Sequence, residues 1–135
     1  FPRLPQATVD AEPADGKLRL ISPAAEWLMN SSFGNDRRVI KIMGPATVTC
    51  HPETASGLGI GDGDRVRLSN ELGELALTVC VSDMITPGAL LVYKSRWPKM
   101  EKSRANVNVL CIARKTDMGE STSVHATEVT VSRID

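Results

Sequence analysis

Apolar and polar residues alternate most regularly between residues 65 and 81. Apolar residues stand at every second position from Val66 to Leu68, and again from Leu75 to Val81. A period of two is typical of a β-strand that buries one face. The segment between them, Asn70–Gly73, has the composition of a turn. The pattern therefore predicts two half-buried strands joined by a turn.

Shorter apolar segments predict the other elements. Further strands are expected at Leu18–Ile21, Val48–Cys50, Ala89–Tyr93 and Thr127–Ser132. Residues 52–56 predict a short helix, because proline is favoured at the first helical position. We expect Gly57 or Gly59 to end that helix in a left-handed conformation. About five to seven short strands with one or two short helices are typical of a mostly β barrel or sandwich.

The beginning of the chain differs from the rest. Residues 1–16 contain three prolines and show no hydrophobic period, which predicts an extended linker. Regular structure is expected from Lys17 onward, so that residues 17–135 form one domain. A chain of 135 residues is long enough for a hydrophobic core of its own. Because the first residue is Phe1 and not Met, we expect a processed chain or a piece of a longer one.

The charge balance and the aromatic content argue against two classes of partner. Sixteen basic residues balance sixteen acidic ones, which is unlike a general polyanion-binding protein. Five aromatic residues are too few for an extensive base-stacking surface. No apolar run reaches the roughly 18 residues that a transmembrane helix needs. We therefore expect neither a nucleic-acid partner nor a transmembrane segment.

The three cysteines bear on the redox state of the cellular compartment and do not predict a metal or catalytic site. Cys50, Cys80 and Cys111 lie far apart in apolar, β-branched surroundings, and no C-x-x-C motif occurs. Such cysteines are typical of buried free thiols. They favour a reducing compartment, so a cytoplasmic location is expected, with a periplasmic one open if the parent protein carries an export signal.

No self-contained catalytic or metal site is predicted. His51 and His125 are the only histidines, and we interpret both as structural or solvated. The glycine-rich residues 57–63 precede a predicted strand, whereas a dinucleotide-binding loop opens a helix. The basic stretch Lys94–Arg104, which contains Trp97, is either a solvated loop or an edge that faces phosphate groups. The sequence leaves these two interpretations of the stretch open.

Three segments resemble a known family. Residues 51–97 run Pro-Glu, short helix, Leu-Gly-Ile, Gly-Asp, strand, glycine turn, strand, Pro-Gly, strand. This order is similar to the C-terminal domain of molybdopterin oxidoreductases of the dimethyl sulfoxide reductase and formate dehydrogenase type. Residues 18–35 (LRLISPAAEWLMNSSFGN) are similar to the family's first strand and polar loop. Residues 105–110 and 114–120 resemble its Asn-containing segment and the loop that follows.

The resemblance implies a fold, a cofactor and partners. The fold would be a six-stranded double-psi β-barrel. It would bind molybdopterin guanine dinucleotide, with molybdenum or tungsten, and close one side of the cofactor cleft. The partners would be the remaining domains of the parent oxidoreductase and the cofactor. The isolated domain would not be catalytic, since the family's metal ligand comes from an earlier part of the chain and no cysteine here matches it.

Polar loop residues are the candidates for cofactor contact. A pterin and a diphosphate need amide, hydroxyl and basic groups at close approach. The candidates of those types are Ser22, Asn30, Ser31, Ser32, Asn106, Asn108 and Lys115. The sequence departs from the family at Pro23–Ala25 and Asn30, where Thr-Gly-Arg or a histidine is frequent. The alternative function is a stand-alone double-psi barrel that serves as an interaction or substrate-binding module.

Overall fold

Six short strands close into a barrel. The computed structural model describes residues 9–116 and 119–134. Its strands are β1 (Leu18–Ile21), β2 (Thr47–Cys50), β3 (Arg65–Asn70), β4 (Gly73–Val81), β5 (Ala89–Leu91) and β6 (Thr127–Arg133), and its α-helices are α1 (Arg37–Met43) and α2 (Pro52–Leu58). The order around the closed barrel is β1-β5-β2-β4-β3-β6.

The strand pairing has an internal twofold pattern. β1 runs parallel to β5 and β2 runs parallel to β4, whereas the other four neighbouring pairs are antiparallel. If β1 is exchanged with β4, β2 with β5 and β3 with β6, the same strands remain neighbours and each pair keeps its parallel or antiparallel direction. The predicted six-stranded double-psi β-barrel is confirmed.

The barrel interior is aliphatic. The alternation in β3 and β4 turns Val66, Leu68, Leu75 and Leu77 into the core, as the period of two predicts. The register from Arg65↔Thr78 to Asn70↔Gly73 keeps these side chains on one face. The largest fully buried side chains are Leu20, Leu68, Leu90, Leu110, Val48, Val66, Val107, Val129, Thr127 and Cys50. Burial of these methyl and methylene groups drives closure of the barrel.

The two helices begin and end at residues suited to those positions. α2 starts with Pro52 and ends at Gly59, whose φ of 66° is left-handed, so the second of the two predicted ends is the one adopted. α1 was not predicted as a helix. Its cap is Asp36, whose carboxylate accepts hydrogen bonds from the backbone N–H groups of Arg38 (2.8 Å) and Val39 (3.2 Å). Neither helix, nor any other helix in the described ranges, has the length and apolar character needed to cross a membrane.

The strand directions sort the connecting loops to opposite ends of the barrel. β1, β3 and β5 all finish at the same end, which we call the loop end. The β1–β2 loop (residues 22–46) and the β5–β6 loop (residues 92–126) both lie at the loop end. Every residue that the sequence proposed for cofactor contact belongs to one of these two loops.

The segment before β1 contacts the barrel. Residues 9–16 contain neither helix nor strand. Asp10 forms an ion pair with Arg114 at 2.9 Å, and the N–H of Ala14 donates to a carboxylate oxygen of Glu128 at 3.4 Å. Residues 1–8 of the predicted linker lie outside the described part of the chain, as do Asp117 and Met118. The boundary between linker and domain stays a prediction.

Candidate functional site

The parallel pairing of β1 and β5 brings two loops together. The pairing continues beyond the strands, because the N–H of Val92 donates to Ile21 O and the N–H of Lys94 donates to Pro23 O, each at 3.0 Å. Both loops therefore leave the barrel side by side. This explains why polar residues that lie roughly 60–80 positions apart in sequence meet at the loop end.

Trp97 joins the two loops. Its indole Nε1–H donates to the backbone carbonyl of Ser31 at 2.6 Å. Gly34 packs against the indole ring so closely that an added Cβ would lie 2.6 Å from Nε1. Lys99 places its ammonium group 4.7 Å from the ring centroid on the same tryptophan, within the range of a cation–π contact. Glycine at position 34 is thus required by the close approach of the ring.

Arg96 connects the β5–β6 loop to the end of α1. Its guanidinium donates to the carboxylate of Glu101 and to Gly44 O, each at 3.0 Å. Longer bonds reach Pro45 O at 3.3 Å and Met43 O at 3.4 Å. The side chains of Arg96 and Glu101 are only 12% and 15% exposed. The guanidinium of Arg96 is therefore already bonded within the protein, and its charge is neutralised by the carboxylate of Glu101.

Asn106 holds the next part of the same loop. Its Nδ2–H donates to the backbone carbonyl of Arg96 at 2.7 Å, and its Oδ1 accepts from the N–H of Asn108 at 3.0 Å. The second bond caps the 3₁₀ turn Val107–Leu110. The amide of Asn106 thus links the basic stretch to this turn.

The 3₁₀ turn is attached in turn to the β3–β4 hairpin. Asn70 donates from Nδ2 to Leu110 O at 2.7 Å. Gly73 approaches the turn so closely that an added Cβ would lie 2.9 Å from Val109 O. The segment after the basic stretch is therefore held rigidly against the barrel.

These contacts leave an open groove at the loop end. The groove has a volume of about 470 Å³ and is lined by Asn30, Ser31, Lys94, Ser95, Arg96, Trp97, Pro98, Asn106 and Asn108. This volume falls within the range of about 300–1,000 Å³ that is usual for small-molecule sites. The groove combines amide and hydroxyl groups with the ammonium group of Lys94, and no Asp, Glu, His or Cys is among the lining residues.

Backbone strain is concentrated in the same two loops. Five non-glycine residues of the described ranges have positive φ, namely Asn30, Phe33, Ser95, Arg104 and Glu120, and all five belong to the β1–β2 and β5–β6 loops. Asn30 (φ 50°) and Ser95 (φ 77°) also line the groove. Such residues cost free energy and cluster at functional sites. Strain thus marks the same part of the barrel as the groove.

The structure brings together four of the seven candidates from the sequence. Asn30, Ser31, Asn106 and Asn108 line the groove. Ser22 is buried at the start of the β1–β2 loop, where its N–H donates to Nδ1 of His125 at 3.3 Å. Ser32 is exposed beside the groove and does not line it. Lys115 is exposed and forms an ion pair with Glu120 at 3.1 Å. Cofactor contact by these seven residues stays a prediction.

Five lining residues were not among the candidates, namely Lys94, Ser95, Arg96, Trp97 and Pro98. Lys94 lies at the start of the basic stretch. The interpretation of that stretch as an edge that faces phosphate groups was the sequence signal that could have identified it. Ser95 had no such signal, since its left-handed backbone follows from the fold. Within the stretch, Arg96 and Lys99 contact the protein itself. The phosphate-facing interpretation of the stretch stays a prediction.

The cysteines lie outside the groove. All three are free thiols. Burial raises the pKa of Cys50, and the nearby Cys80 and Asp62 raise it further. Burial also raises the pKa of Cys111, an effect that Lys94 opposes. Within residues 9–116 and 119–134, no cluster of three or more His, Cys, Asp and Glu side chains is arranged to hold a metal ion.

Sequence comparison relates the chain to larger redox proteins. A family model described as the molydopterin dinucleotide binding domain matches residues 18–128. The chain is 27% identical over 134 residues to the probable oxidoreductase YoaE of Bacillus subtilis, a match that covers 99% of this chain and 20% of that protein. It is 28% identical over 109 residues to the dimethyl sulfoxide reductase DmsA of Haemophilus influenzae, covering 78% of this chain and 13% of that protein.

Structural comparison identifies the same barrel in a much longer chain. Acetylene hydratase from Pelobacter acetylenicus aligns over 87% of this chain and 18% of its own, with a TM-score of 0.72 at 17% sequence identity. At this identity the likeness concerns the fold alone. The chain spans a fifth or less of the length of the two curated relatives.

Proposed function

Because this chain belongs to the molydopterin dinucleotide binding domain family, we propose that its loop end forms one wall of the cleft that holds a molybdopterin guanine dinucleotide cofactor in a larger oxidoreductase. The convergence of Asn30, Ser31, Lys94 and Asn108 on one groove carries this assignment. When bound, the cofactor would supply the redox chemistry of molybdenum or tungsten.

The groups in the groove fit such a cofactor. Asparagine amides offer both donors and acceptors to the edges of a heterocycle, and an ammonium group favours phosphate oxygens. A groove of about 470 Å³ holds only part of a dinucleotide cofactor. The remainder would therefore contact other domains of the parent protein, in line with the short span of this chain on its relatives.

The residues of the groove divide into two roles. Asn30, Ser31, Lys94 and Asn108 would bind the cofactor. Arg96, Asn106 and Trp97 would position them, since their polar groups already bond to the protein. Ser22, Ser32 and Lys115 remain candidates for contacts beyond this groove.

The domain would bind and orient without transferring protons. The groove contains no carboxylate, imidazole or thiol that could exchange a proton near neutral pH. What the wall contributes is a set of polar groups beside the cofactor, on loops that are hydrogen-bonded to each other and to the barrel. We therefore expect the isolated domain to have no redox activity, and the parent protein to require its other domains.

Substitution in the full-length parent protein tests the assignment. Asn108→Ala and Lys94→Met each remove one side-chain contact, and Asn35→Ala and Lys102→Met are matched controls outside the groove. The molybdenum and tungsten content of each purified variant is measured by elemental mass spectrometry. We expect the first pair to lower metal occupancy roughly threefold or more, as loss of a hydrogen bond to a charged group implies. Equal occupancy in all four variants would refute the assignment.

The compartment and the alternative function follow from separate observations. We propose a cytoplasmic parent, because all three cysteines are free thiols, as is usual in reducing compartments. A periplasmic parent would have to carry an export signal. A stand-alone interaction barrel is the second candidate function. A native polypeptide of about 14.6 kDa without bound metal would favour it.

A further inference from the structure

The balanced charge of the whole chain conceals an uneven distribution along it. Residues 36–41 and 94–104 contain eight of the sixteen basic residues and two of the sixteen acidic ones, a net charge of +6. The remainder of the chain consequently has a net charge of −6. Because the potential at a surface depends on the charges nearby, a protein without net charge can still attract anions to one part of its surface.

The fold brings these two segments together at the loop end. Ile40 and Met43 of α1 line the same cavity as Met100 and Glu101 of the β5–β6 loop. The guanidinium of Arg96 also donates hydrogen bonds to backbone carbonyls at the end of α1. Positive charges that lie about 60 residues apart in the sequence therefore contribute to a single field.

Six of the eight basic side chains in these segments are exposed, and none of the six forms an ion pair with a described residue. We call these six residues the basic face: Arg37, Arg38, Lys41, Lys99, Lys102 and Arg104. The two acidic residues of the same segments are already bonded, since Asp36 caps α1 and Glu101 pairs with Arg96. The charges of the basic face are therefore available to an external anion.

The basic face borders the groove without lining it. None of its six residues is among those that line the groove. Its Lys99 places the ammonium group 4.7 Å from the ring centroid of Trp97, which does line the groove. α1 follows directly after the loop that contributes Asn30 and Ser31. An anion that the basic face attracts therefore arrives beside the groove.

We propose that the basic face captures the anionic cofactor from solution and steers its diphosphate to the groove, and that it does not hold the cofactor afterwards. This inference rests on the proposed function, because it takes the groove as a cofactor site. Exposed lysine and arginine side chains add little to equilibrium affinity, since ordering them costs entropy. Their combined field extends about 10 Å at an ionic strength of about 0.1 M and raises the rate of association. The groove then determines how slowly the cofactor leaves.

Binding kinetics of guanosine diphosphate, the nucleotide part of the cofactor, test the proposal in the 135-residue chain. The background variant Trp27→Phe leaves Trp97 as the only tryptophan, so that stopped-flow fluorescence reports on the groove. Association and dissociation rates are measured at low salt and at about 0.3 M salt. No binding at about 10 mM nucleotide would overturn the proposal.

Two triple variants separate the position of the charge from its amount. The α1 variant removes three charges of the basic face: Arg37→Gln, Arg38→Gln and Lys41→Gln. Glutamine has nearly the helix propensity of lysine and arginine, so α1 should persist. The control variant removes the same charge elsewhere on the barrel: Lys17→Gln, Arg67→Gln and Arg133→Gln. The ion pairs that the control breaks are exposed and contribute little to stability.

The expected difference lies in the association rate. At low salt the α1 variant should associate at least about threefold more slowly, with its dissociation rate changed less than about twofold. Salt at about 0.3 M should remove most of this difference, because it screens the field. The control should behave like the background chain. Equal slowing in both triple variants would overturn the proposal, and so would faster dissociation of the α1 variant at an unchanged association rate.

Asn108→Ala distinguishes failure of the proposal from failure of the proposed function. It removes a side chain that lines the groove, so it should speed dissociation and leave association unchanged. If it changes neither rate while the α1 variant slows association, the nucleotide does not enter the groove. The proposed function would then fail, and capture of an anion by the basic face would stand.

The phosphate groups of free nucleotides have the same chemistry as those of the cofactor, and the full-length parent distinguishes the two sources. In a parent that already holds its cofactor we expect no binding of guanosine diphosphate. Binding there that the α1 variant abolishes would assign the basic face to free nucleotides and overturn the proposal. In the apoprotein of the parent, the α1 variant should slow uptake of extracted cofactor, followed as molybdenum or tungsten content over time. Unchanged uptake would also overturn it.

Discussion

The side-chain amide of Asn106 donates a hydrogen bond of 2.7 Å to the backbone carbonyl of Arg96, and it caps the 3₁₀ turn that contains Asn108 at the same time. The two asparagines of this segment therefore differ in kind. Asn106 organises the wall of the groove, whereas the side chain of Asn108 makes no hydrogen bond to the described residues and is free to bind a ligand.

Asn106→Ala and Asn108→Ala are expected to separate stability from binding. Loss of both bonds of Asn106 leaves the partly buried carbonyl of Arg96 and the exposed N–H of Asn108 without their partners, which should lower the free energy of unfolding by about 1–3 kcal/mol. Asn108→Ala should stay within about 0.5 kcal/mol of the original protein, as exposed substitutions usually do. Urea denaturation of the 135-residue chain measures both. Equal destabilisation by the two variants would contradict the division of roles.

Arg96→Met is expected to destabilise the protein strongly. It leaves the carboxylate of Glu101 and the carbonyl of Gly44 without their donor in a mostly buried position. Loss of one partner of such a pair costs about 3 kcal/mol. Glu101→Gln keeps an acceptor at the same place and should cost less. Denaturation of both variants and of the double variant gives the coupling energy between the two side chains. A coupling energy near zero would show that they act independently and would contradict the prediction.

Gly34→Ala should disturb the contact between the two loops. The added methyl group would overlap the indole of Trp97, and the rearrangement should cost about 1–3 kcal/mol. Tryptophan fluorescence should shift as the ring moves. Gly57→Ala is the control, because nothing lies within 4 Å of an added Cβ in that helix position. It should stabilise the protein by up to about 1 kcal/mol. An unchanged spectrum in Gly34→Ala would show that the loops tolerate a wider separation.

The buried thiols should make stability decrease in alkali. Burial raises the pKa of Cys50 and of Cys111 above the ordinary thiol value of 9.0. A group with a raised folded pKa holds its proton more tightly in the folded state. Its contribution to stability is therefore complete below the unfolded pKa and is lost as pH rises through that value toward the folded one.

The thiol contribution can be isolated by substitution. We expect the free energy of unfolding, measured in urea at pH 7 and pH 10, to fall less in a Cys50→Ala, Cys111→Ala double variant than in the original protein. Other groups that titrate in alkali, such as lysines, are common to both proteins and cancel in the difference. An identical decrease in both would show that these thiols have ordinary pKa values in the folded state.

Different elements of the fold were predictable to different degrees. The two strands of the β3–β4 hairpin followed from the period of two, since one face of each strand packs in the barrel. α1 was not predicted, because an apolar segment as short as residues 39–43 has no distinguishable period. Its helix depends on the capping carboxylate of Asp36 and on the hydrogen bonds that Arg96 donates at its end. Strand β5 ends at Leu91 instead of the predicted Tyr93, where the chain leaves for the loop end.

The candidate site was predictable in its chemistry and not in its geometry. Amide, hydroxyl and basic residues in two loops could be recognised from the sequence. The sequence could not show which of these residues line the groove, which hold other residues in place and which lie elsewhere. That depends on which backbone groups the folded chain brings next to each side chain. Ser22 and Lys115 carry the same functional groups as Ser31 and Lys94 but do not line the groove.

By itself, the sequence determined the half-buried strands, the end of α2 at a glycine, the family and the chemical nature of the site, because these depend on local periodicity and on residue types in a given order. Only the tertiary structure decided that the β1–β2 and β5–β6 loops share one groove. It also decided that the polar groups of Asn106 and Arg96 bond within the protein, and that Trp27, Met29 and Phe33 face outward. Those properties arise from closure of the barrel, which pairs β1 with β5 across about 70 residues of chain and so creates neighbours that no local pattern specifies.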